Sequence, residues 1–360
     1  MKIYKNNRHI HVSGQPVIVM DLKEFQHEYI YQLVYFFHYR GYNIWLKNHY
    51  RFAGGLLLNN FHIYSLENLK IIQSDNDFVP EECWLLTDFT SGYLNYPFRK
   101  KIKINYDLYG TDRRNCPVFQ IPMSHDFYHF RKLEKLEQLR LSERSIKIFF
   151  SGNVNPDNYN REILHYFWGK LTRIEVLDNI RNNFSSSCIS LKDYKLMPDK
   201  SEDKILIAEW YWKNDNDQNL SGRIPSDNWL ETLAKCDFFL ACSGVVMPFS
   251  FNLTESMSVG AIPILEYDDL MNPSLVHMKN CIAYKGPADL IDKIKLALSL
   301  DDSTIKELRK NVISYYEDHL SPSGFLSKVE AMKEQEFDLF VHGNMISIDK
   351  AFRKGINNYI

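Results

Sequence analysis

Short apolar runs alternate with amphipathic stretches along most of the chain, and the two periods predict alternating strands and helices. Pro16-Val17-Ile18-Val19-Met20 is an unbroken apolar run closed by Asp21, the pattern of a strand buried on both faces. Glu24 to Arg40 then carries Tyr29, Leu33, Phe36 and Phe37 at three- and four-residue spacing, which predicts a helix that Gly41 stops. Tyr42 to Leu46 reads as the next strand, with further strands at Phe61 to Tyr64, Leu69 to Gln73 and Cys83 to Asp88. Strand, helix, strand at this spacing predicts a parallel, doubly wound sheet.

A mixed-charge helix is predicted from Phe130 to Leu141, with Arg131, Lys132, Lys135 and Arg140 set among Glu134 and Glu137 as a solvated face. Beyond it the alternation restarts. Strands are predicted at Ile146 to Phe150, Lys204 to Trp210, Asp237 to Ala241, Ala261 to Leu265 and Cys281 to Tyr284. Helices are predicted at Arg161 to Leu171, Asp227 to Ala234 and Leu253 to Val259, and three more at Pro287 to Leu300, Ser303 to Leu320 and Gly324 to Leu339. The fold class that follows is α/β, with two Rossmann-like domains and a helical C-terminal tail. The expected division is 1–128 as the N-terminal domain, 129–145 as a connector, 146–322 as the second domain, and 323–360 as a tail packing back on the first.

Composition narrows the function without naming it. At 360 residues the chain has room for two hydrophobic cores, and 45% hydrophobic with 24% charged residues is globular. A formal net charge of −2 offers no general attraction for nucleic acid. The six cysteines have no metal-site spacing and suit a reducing compartment. The N-terminus lacks the apolar region of a signal peptide, and no run of about 18 apolar residues occurs, so a cytoplasmic location is expected. The densest basic run, Arg99, Lys100, Lys101 and Lys103, is either a solvated edge or a peripheral contact with the inner face of a membrane.

One segment has the make-up of an anion site. Cys236 to Ala241 is an apolar strand that empties into Cys242-Ser243-Gly244, and a helix opens near Leu253 after Ser250, with Glu255 in its first turn. Free N–H groups and the positive end of the helix dipole would face a ligand there, and small residues permit close approach. Glu255 could cap the helix or accept hydrogen bonds from vicinal ribose hydroxyls.

Ser250-x-x-Leu253-x-Glu255 followed by Gly260-Ala261-Ile262-Pro263-Ile264-Leu265 resembles the signature of exostosin-like glycosyltransferases. Glu255-Ser256-Met257-Ser258-Val259-Gly260-Ala261-Ile262-Pro263 is also similar to a segment of many GT-B enzymes, as are Gly222-Arg223-Ile224-Pro225 upstream and Asn280 to Tyr284 downstream. The resemblance covers roughly Ile146 to Leu300; the N-terminal half matches only in general architecture. It implies a GT-B fold, two Rossmann-like domains facing a central cleft, with the acceptor held by the N-terminal domain 1–128 and a nucleotide-diphosphate sugar, the donor substrate, by the domain 146–322, and with no metal or other cofactor. Carried over, Glu255 binds the donor ribose, and Ser250, Asn252, Leu253 and Thr254, with Ser243 and Gly244, lie near the diphosphate. Arg223 and Ile224 line the nucleobase pocket, and Ser151, Gly152 and Asn153 approach the phosphates or the donor sugar. Two positions depart from the pattern: Asn252 stands where the exostosin-like arginine would be, and Met247 where retaining enzymes carry a first glutamate.

The expected chemistry is therefore inverting transfer of the sugar to a hydroxyl of a glycan or lipid-linked glycan acceptor in glycan synthesis. Such a reaction needs a general base, and Asp21 and Asp88, each closing a strand of the N-terminal half, are the candidates; His125 and Asp126 are further polar residues near the domain junction. Arg223 could instead clamp the diphosphate. Asp215-Asn216-Asp217 mimics a metal-binding Asp-x-Asp, but its polar setting reads as a solvated turn. The alternatives are a retaining GT-B enzyme and a non-catalytic nucleotide-sugar or glycan-binding module. A dinucleotide-dependent enzyme is disfavoured, because neither first turn contains Gly-x-Gly-x-x-Gly.

Overall fold

A computed structural model describes residues 15–23, 27–47, 66–72, 82–89, 96–106, 116–129, 131–198 and 200–342. They form two units: one runs to His129 and resumes at Ser321, and the other spans Phe130–Leu320. Each is an α/β unit built on a seven-stranded sheet.

The first sheet contains β1 (Val17–Asp21), β2 (Asn43–Lys47), β3 (Leu69–Ile72), β4 (Trp84–Thr87), β5 (Lys100–Asn105), β6 (Val118–Phe119) and, from the far end of the chain, β14 (Glu336–Val341). Their order is β3-β2-β1-β4-β5-β14-β6, with every pairing parallel. All five residues of β1 are buried, as its unbroken apolar run requires. Val17, Val19, Trp45, Ile72, Cys83, Leu85 and Phe98 form one core cluster on this sheet. The helix His27–Tyr39 is joined by the late helix Pro322–Ala331, where Phe36 and Phe325 rings meet edge to face at 5.7 Å. Arg40 and Tyr42 both hydrogen-bond to the Glu330 carboxylate. The expected strand Phe61 to Tyr64 lies outside the described residues.

Two readings change here. The basic run is largely strand β5, flanked by β4 and β14, with Arg99 and Lys103 exposed and Lys100 and Lys101 partly buried. Ile102 and Ile104 alternate with lysines, so Lys-Lys-Ile-Lys-Ile is strand periodicity that the charges conceal. Lys100 lies over the Trp84 ring and donates to the carbonyls of Glu330 and Met332 at the end of the late helix, while Lys103 pairs with Glu336. The pattern from Gly324 to Leu339 is not one helix: it stops at Ala331, and β14 follows, because Phe337, Leu339, Phe340 and Val341 bury themselves in the sheet.

The second sheet contains β7 (Ile146–Asn153), β8 (Cys188–Leu191), β9 (Ser201–Asn214), β10 (Asp217–Asn219), β11 (Cys236–Leu240), β12 (Ile262–Leu265) and β13 (Ile282–Ala283). The order is β10-β9-β7-β11-β12-β13, with β8 also paired to β9. All pairings are parallel except the β9–β10 hairpin. From Lys213 to Asn219 the chain turns a hairpin and starts back, which places the Asp215-Asn216-Asp217 run at its turn. The expected helix Phe130 to Leu141 is a 3₁₀ turn, Lys132–Lys135, and a short helix, Leu136–Arg140. Among the described residues no helix is long and apolar enough to cross a membrane.

Candidate functional site

Both sheets change direction beside their first strand. In the first, β1 lies between β2 and β4; in the second, β7 lies between β9 and β11. The loops leaving the carboxyl ends of two such neighbours diverge and open a crevice, which is where open α/β sheets bind ligands. In the second unit the segments at that point are the end of β7, Ser151 to Asn153, running into Asn155, and the loop Ala241 to Ser250 after β11.

Side-chain and backbone contacts draw these loops together with the start of the helix Arg173–Asn183. Ser243 Oγ donates to Leu171 O at 2.9 Å, and Trp168 Nε1 to Val246 O at 3.1 Å. Asn252 Nδ2, in the first turn of the helix Phe251–Ser258, donates to Ser151 O at 3.1 Å. Gly244 N–H closes the β11 loop on Pro248 O. Thr172 begins the neighbouring helix with a capping box, its hydroxyl accepting from Glu175 N–H while Glu175 accepts from Thr172 N–H.

That cap delivers Arg173, which the sequence reading passed over. Its side chain is buried, with 4% of the residue exposed. Nη1 donates to Asn153 O at 2.8 Å, the guanidinium carbon lies 3.8 Å from the Tyr159 ring centroid, and Nε has no partner. A Cβ added at Gly152 would stand 3.1 Å from Nη1, so glycine leaves the cation uncovered on that side. Other cations of this unit are ion-paired: Lys170 with Asp269, Arg181 with Glu209 and Lys213 with Asp157. Among the described residues Arg173 has no ion pair. Burial alone does not make an arginine a ligand site; Arg144 also has an unpartnered Nε. Arg144, however, precedes β7 and its two Nη groups donate to three backbone carbonyls. A buried cation with one carbonyl for a partner is costly until an anion joins it. The only clue in the sequence was an arginine directly after a capping threonine, a common helix start.

The sequence candidates divide by burial and bonding. Glu255 is buried and its Oε2 accepts from Trp229 Nε1 at 2.7 Å, which ties the helix Phe251–Ser258 to the helix Ser226–Ala234. Leu253 and Thr254 are fully buried, and Leu253 N–H donates to Ser250 O at 3.1 Å. Ser250 occupies the N-cap position without a side-chain cap bond. Asn153 uses its amide inside the fold, donating to Trp212 O and accepting from the N–H groups of Asn155 and Trp212. Ile224 is buried, whereas Arg223 is exposed with its guanidinium carbon 5.4 Å from the Trp210 ring centroid. Gly222 permits this placement, since a Cβ there would lie 1.9 Å from Glu209 O. Met247 is buried and apolar.

At the switch point of the first unit stand the two candidate bases. Asp21 ends β1 in register with Thr87 of β4, and Asp88 is the next residue. Asp21 is fully buried, 4.0 Å from Lys47 Nζ. Asp88 is partly exposed and accepts the Lys23 N–H at 2.8 Å. Asp126 lies in the helix His125–His129 and is partly exposed. No group of three or more His, Cys, Asp or Glu placed to hold a metal ion occurs among the described residues.

Elsewhere Glu266, at the end of β12, receives the N–H groups of Leu171 at 2.6 Å and Gly286 at 2.7 Å. Burial nevertheless raises its pKa above the ordinary glutamate value.

No protein-family model matches the chain, and no curated protein matches it in sequence. Solved structures similar to it include a glycosyltransferase from Rickettsia africae, at 11% identity and a TM-score of 0.47, covering 88% of this chain and 97% of that one. Sucrose-phosphate synthase from Thermosynechococcus elongatus is similar at 10% identity and a TM-score of 0.42, covering 88% and 97%. HepE from Anabaena, in complex with UDP and glucose, is similar at 9% identity and a TM-score of 0.40, covering 88% and 98%. At these identities and scores the likenesses add nothing to the chemistry read from the site.

Proposed function

We propose that this chain is a glycosyltransferase that takes a nucleotide-diphosphate sugar at the β7/β11 switch point and transfers the sugar to a hydroxyl of a glycan. The observation that carries the reading is Arg173: a buried guanidinium with no ion pair among the described residues, at strand ends that neighbour a helix N-terminus. A diphosphate supplies the missing negative charge and accepts charge-assisted hydrogen bonds from it. Arg173 then answers the departure at position 252, where the family resemblance calls for a cation and the chain has asparagine.

Glu255, which accepts from the Trp229 indole, is the residue that the resemblance assigns to the ribose hydroxyls. Arg223 and Trp210 offer a cation and a ring face to the nucleobase. When the glycosidic bond to the diphosphate breaks, the growing charge is stabilised by Arg173 and by the positive end of the dipole of the helix Phe251–Ser258.

Met247 cannot act as a nucleophile, which favours inversion over a covalent intermediate. The acceptor proton then goes to a base. Asp88 fits that role better than Asp21, because a base must touch its substrate and Asp21 is wholly enclosed. GT-B chemistry of this kind needs no metal ion.

Calorimetric titration with UDP, GDP, ADP, CDP and dTDP tests the reading. One of them is expected to bind, with its affinity reduced by Glu255→Ala; no binding by any would refute it.

A further inference from the structure

The β9–β10 hairpin holds an exposed aromatic ring with unusual firmness. Trp212 is 43% exposed. Its carbonyl accepts from both Asn153 Nδ2 at 3.1 Å and Asn155 Nδ2 at 3.3 Å, and its N–H donates to Asn153 Oδ1 at 3.3 Å. Both asparagines are buried, at 5% and 1% exposure. Asn155 also accepts from Asp157 N–H, and Asp157 pairs with Lys213, so the residue after the tryptophan is tied to the same turn. Two buried amides thus fix the backbone of a residue whose indole is left in water. These bonds satisfy the backbone of the hairpin and hold its position, and the indole itself stays open to solvent.

The neighbours indicate what the partner is. Trp212 stands opposite Gln218 across the antiparallel ladder, which puts the exposed Gln218 side chain on the same face as the indole. Gln218 Nε2 donates to Asp215 O at 3.0 Å, so it is held beside the ring with its Oε1 left to accept. Asn214, Asp215, Asn216, Asp217 and Asn219 around the turn are all exposed. A flat apolar face bordered by amides and carboxylates matches a pyranose, whose axial C–H groups cover a ring while its hydroxyls bond to planar polar side chains. A nucleobase would cover the ring equally well, but its phosphates would meet Asp215 and Asp217. A protein partner would call for a wider apolar area than one indole.

We propose that Trp212 and Gln218 form a saccharide-binding platform that holds a sugar unit of the glycan acceptor. This rests on the glycosyltransferase reading only for the word acceptor.

The test uses the full-length protein on an array of immobilised oligosaccharides, with nucleoside diphosphate titrations run in parallel. The wild type is expected to be retained by at least one oligosaccharide. Trp212→Ala should lose about tenfold in that affinity, Trp212→Phe should recover part of it, and Gln218→Ala should weaken it less. Nucleoside diphosphate affinity should not change in any of the three, which also shows that they fold. Retention by no oligosaccharide, or full retention by Trp212→Ala, overturns the platform while leaving the donor reading intact. Loss of all nucleoside diphosphate binding in the wild type, with Trp212-dependent glycan binding preserved, overturns the transferase reading instead.

Discussion

The two switch points are built alike and furnished in opposite ways. Beside β1 the chain places carboxylates: Asp21 buried against Lys47, and Asp88 at the rim on the Lys23 N–H. Beside β7 it places small residues, the start of the helix Phe251–Ser258 and Arg173, a cation with no ion pair among the described residues. One topology therefore carries acidic side chains at one switch point and a buried cation at the other. Topology decides where a crevice opens; a handful of side chains decides what enters it.

Removing the cation should break the contrast most sharply. Arg173→Ala is expected to weaken nucleoside diphosphate binding on the order of 100-fold, the value of charge-assisted hydrogen bonds in a buried site. Calorimetry measures this, and Arg173→Lys should recover only part of it because the bidentate fork is lost. Thermal stability without ligand should hold or rise in Arg173→Ala, since an uncompensated buried charge has gone.

The two aspartates should separate in the opposite sense. Asp88→Asn is expected to lower kcat by about 10²- to 10⁴-fold with donor affinity unchanged. Asp21→Ala should instead lower stability by on the order of 3 kcal/mol, since it leaves Lys47 facing an emptied, buried position. Equal kcat losses without a loss of stability in Asp21→Ala would reverse their roles.

A smaller effect distinguishes the scaffold around the anion site from the site itself. Thr172→Ala removes the cap that presents Arg173 and should cost about 1 kcal/mol, seen as a lowered denaturation midpoint. Smallest is a pH effect at Glu266. Its folded pKa lies above the ordinary value of 4.5, so the folded state holds more protons than the unfolded one from about that pH upward. This contribution is present at lower pH and is lost as pH rises through the folded pKa. Glu266→Gln should flatten that slope in denaturation experiments run from pH 4.5 to 7, and an unchanged slope would reject the raised pKa.

Much of the alternation was legible in the residues, because burial imposes its period locally. The run Val17 to Met20, the helix carrying Leu33 and Phe37, and the strand Ile262–Leu265 each show their environment in four or five neighbours. The stretch after Gly324 did not, since a helix and a strand both fit its apolar residues until β5 and β6 provide partners. Strand β5 was hidden behind its own lysines for the same reason: Lys100 is covered by Trp84 and by a helix end more than 200 residues away in sequence.

The candidate site divides along the same line. Ser243, Gly244, Ser250 and Glu255 could be found from the sequence, because a strand, a small-residue turn and a helix start are consecutive in the chain. Which of their side chains remain available was not in the sequence. Thr254 and Leu253 turn inward, and Asn153 is absorbed by the hairpin, each through contacts with distant segments. Arg173 is the clearest case: in the sequence it is one of many cations. Only the folding of β7, β11 and their loops around it removes water and counter-charge together, and electrostatic isolation is a property of three-dimensional surroundings that no local pattern encodes.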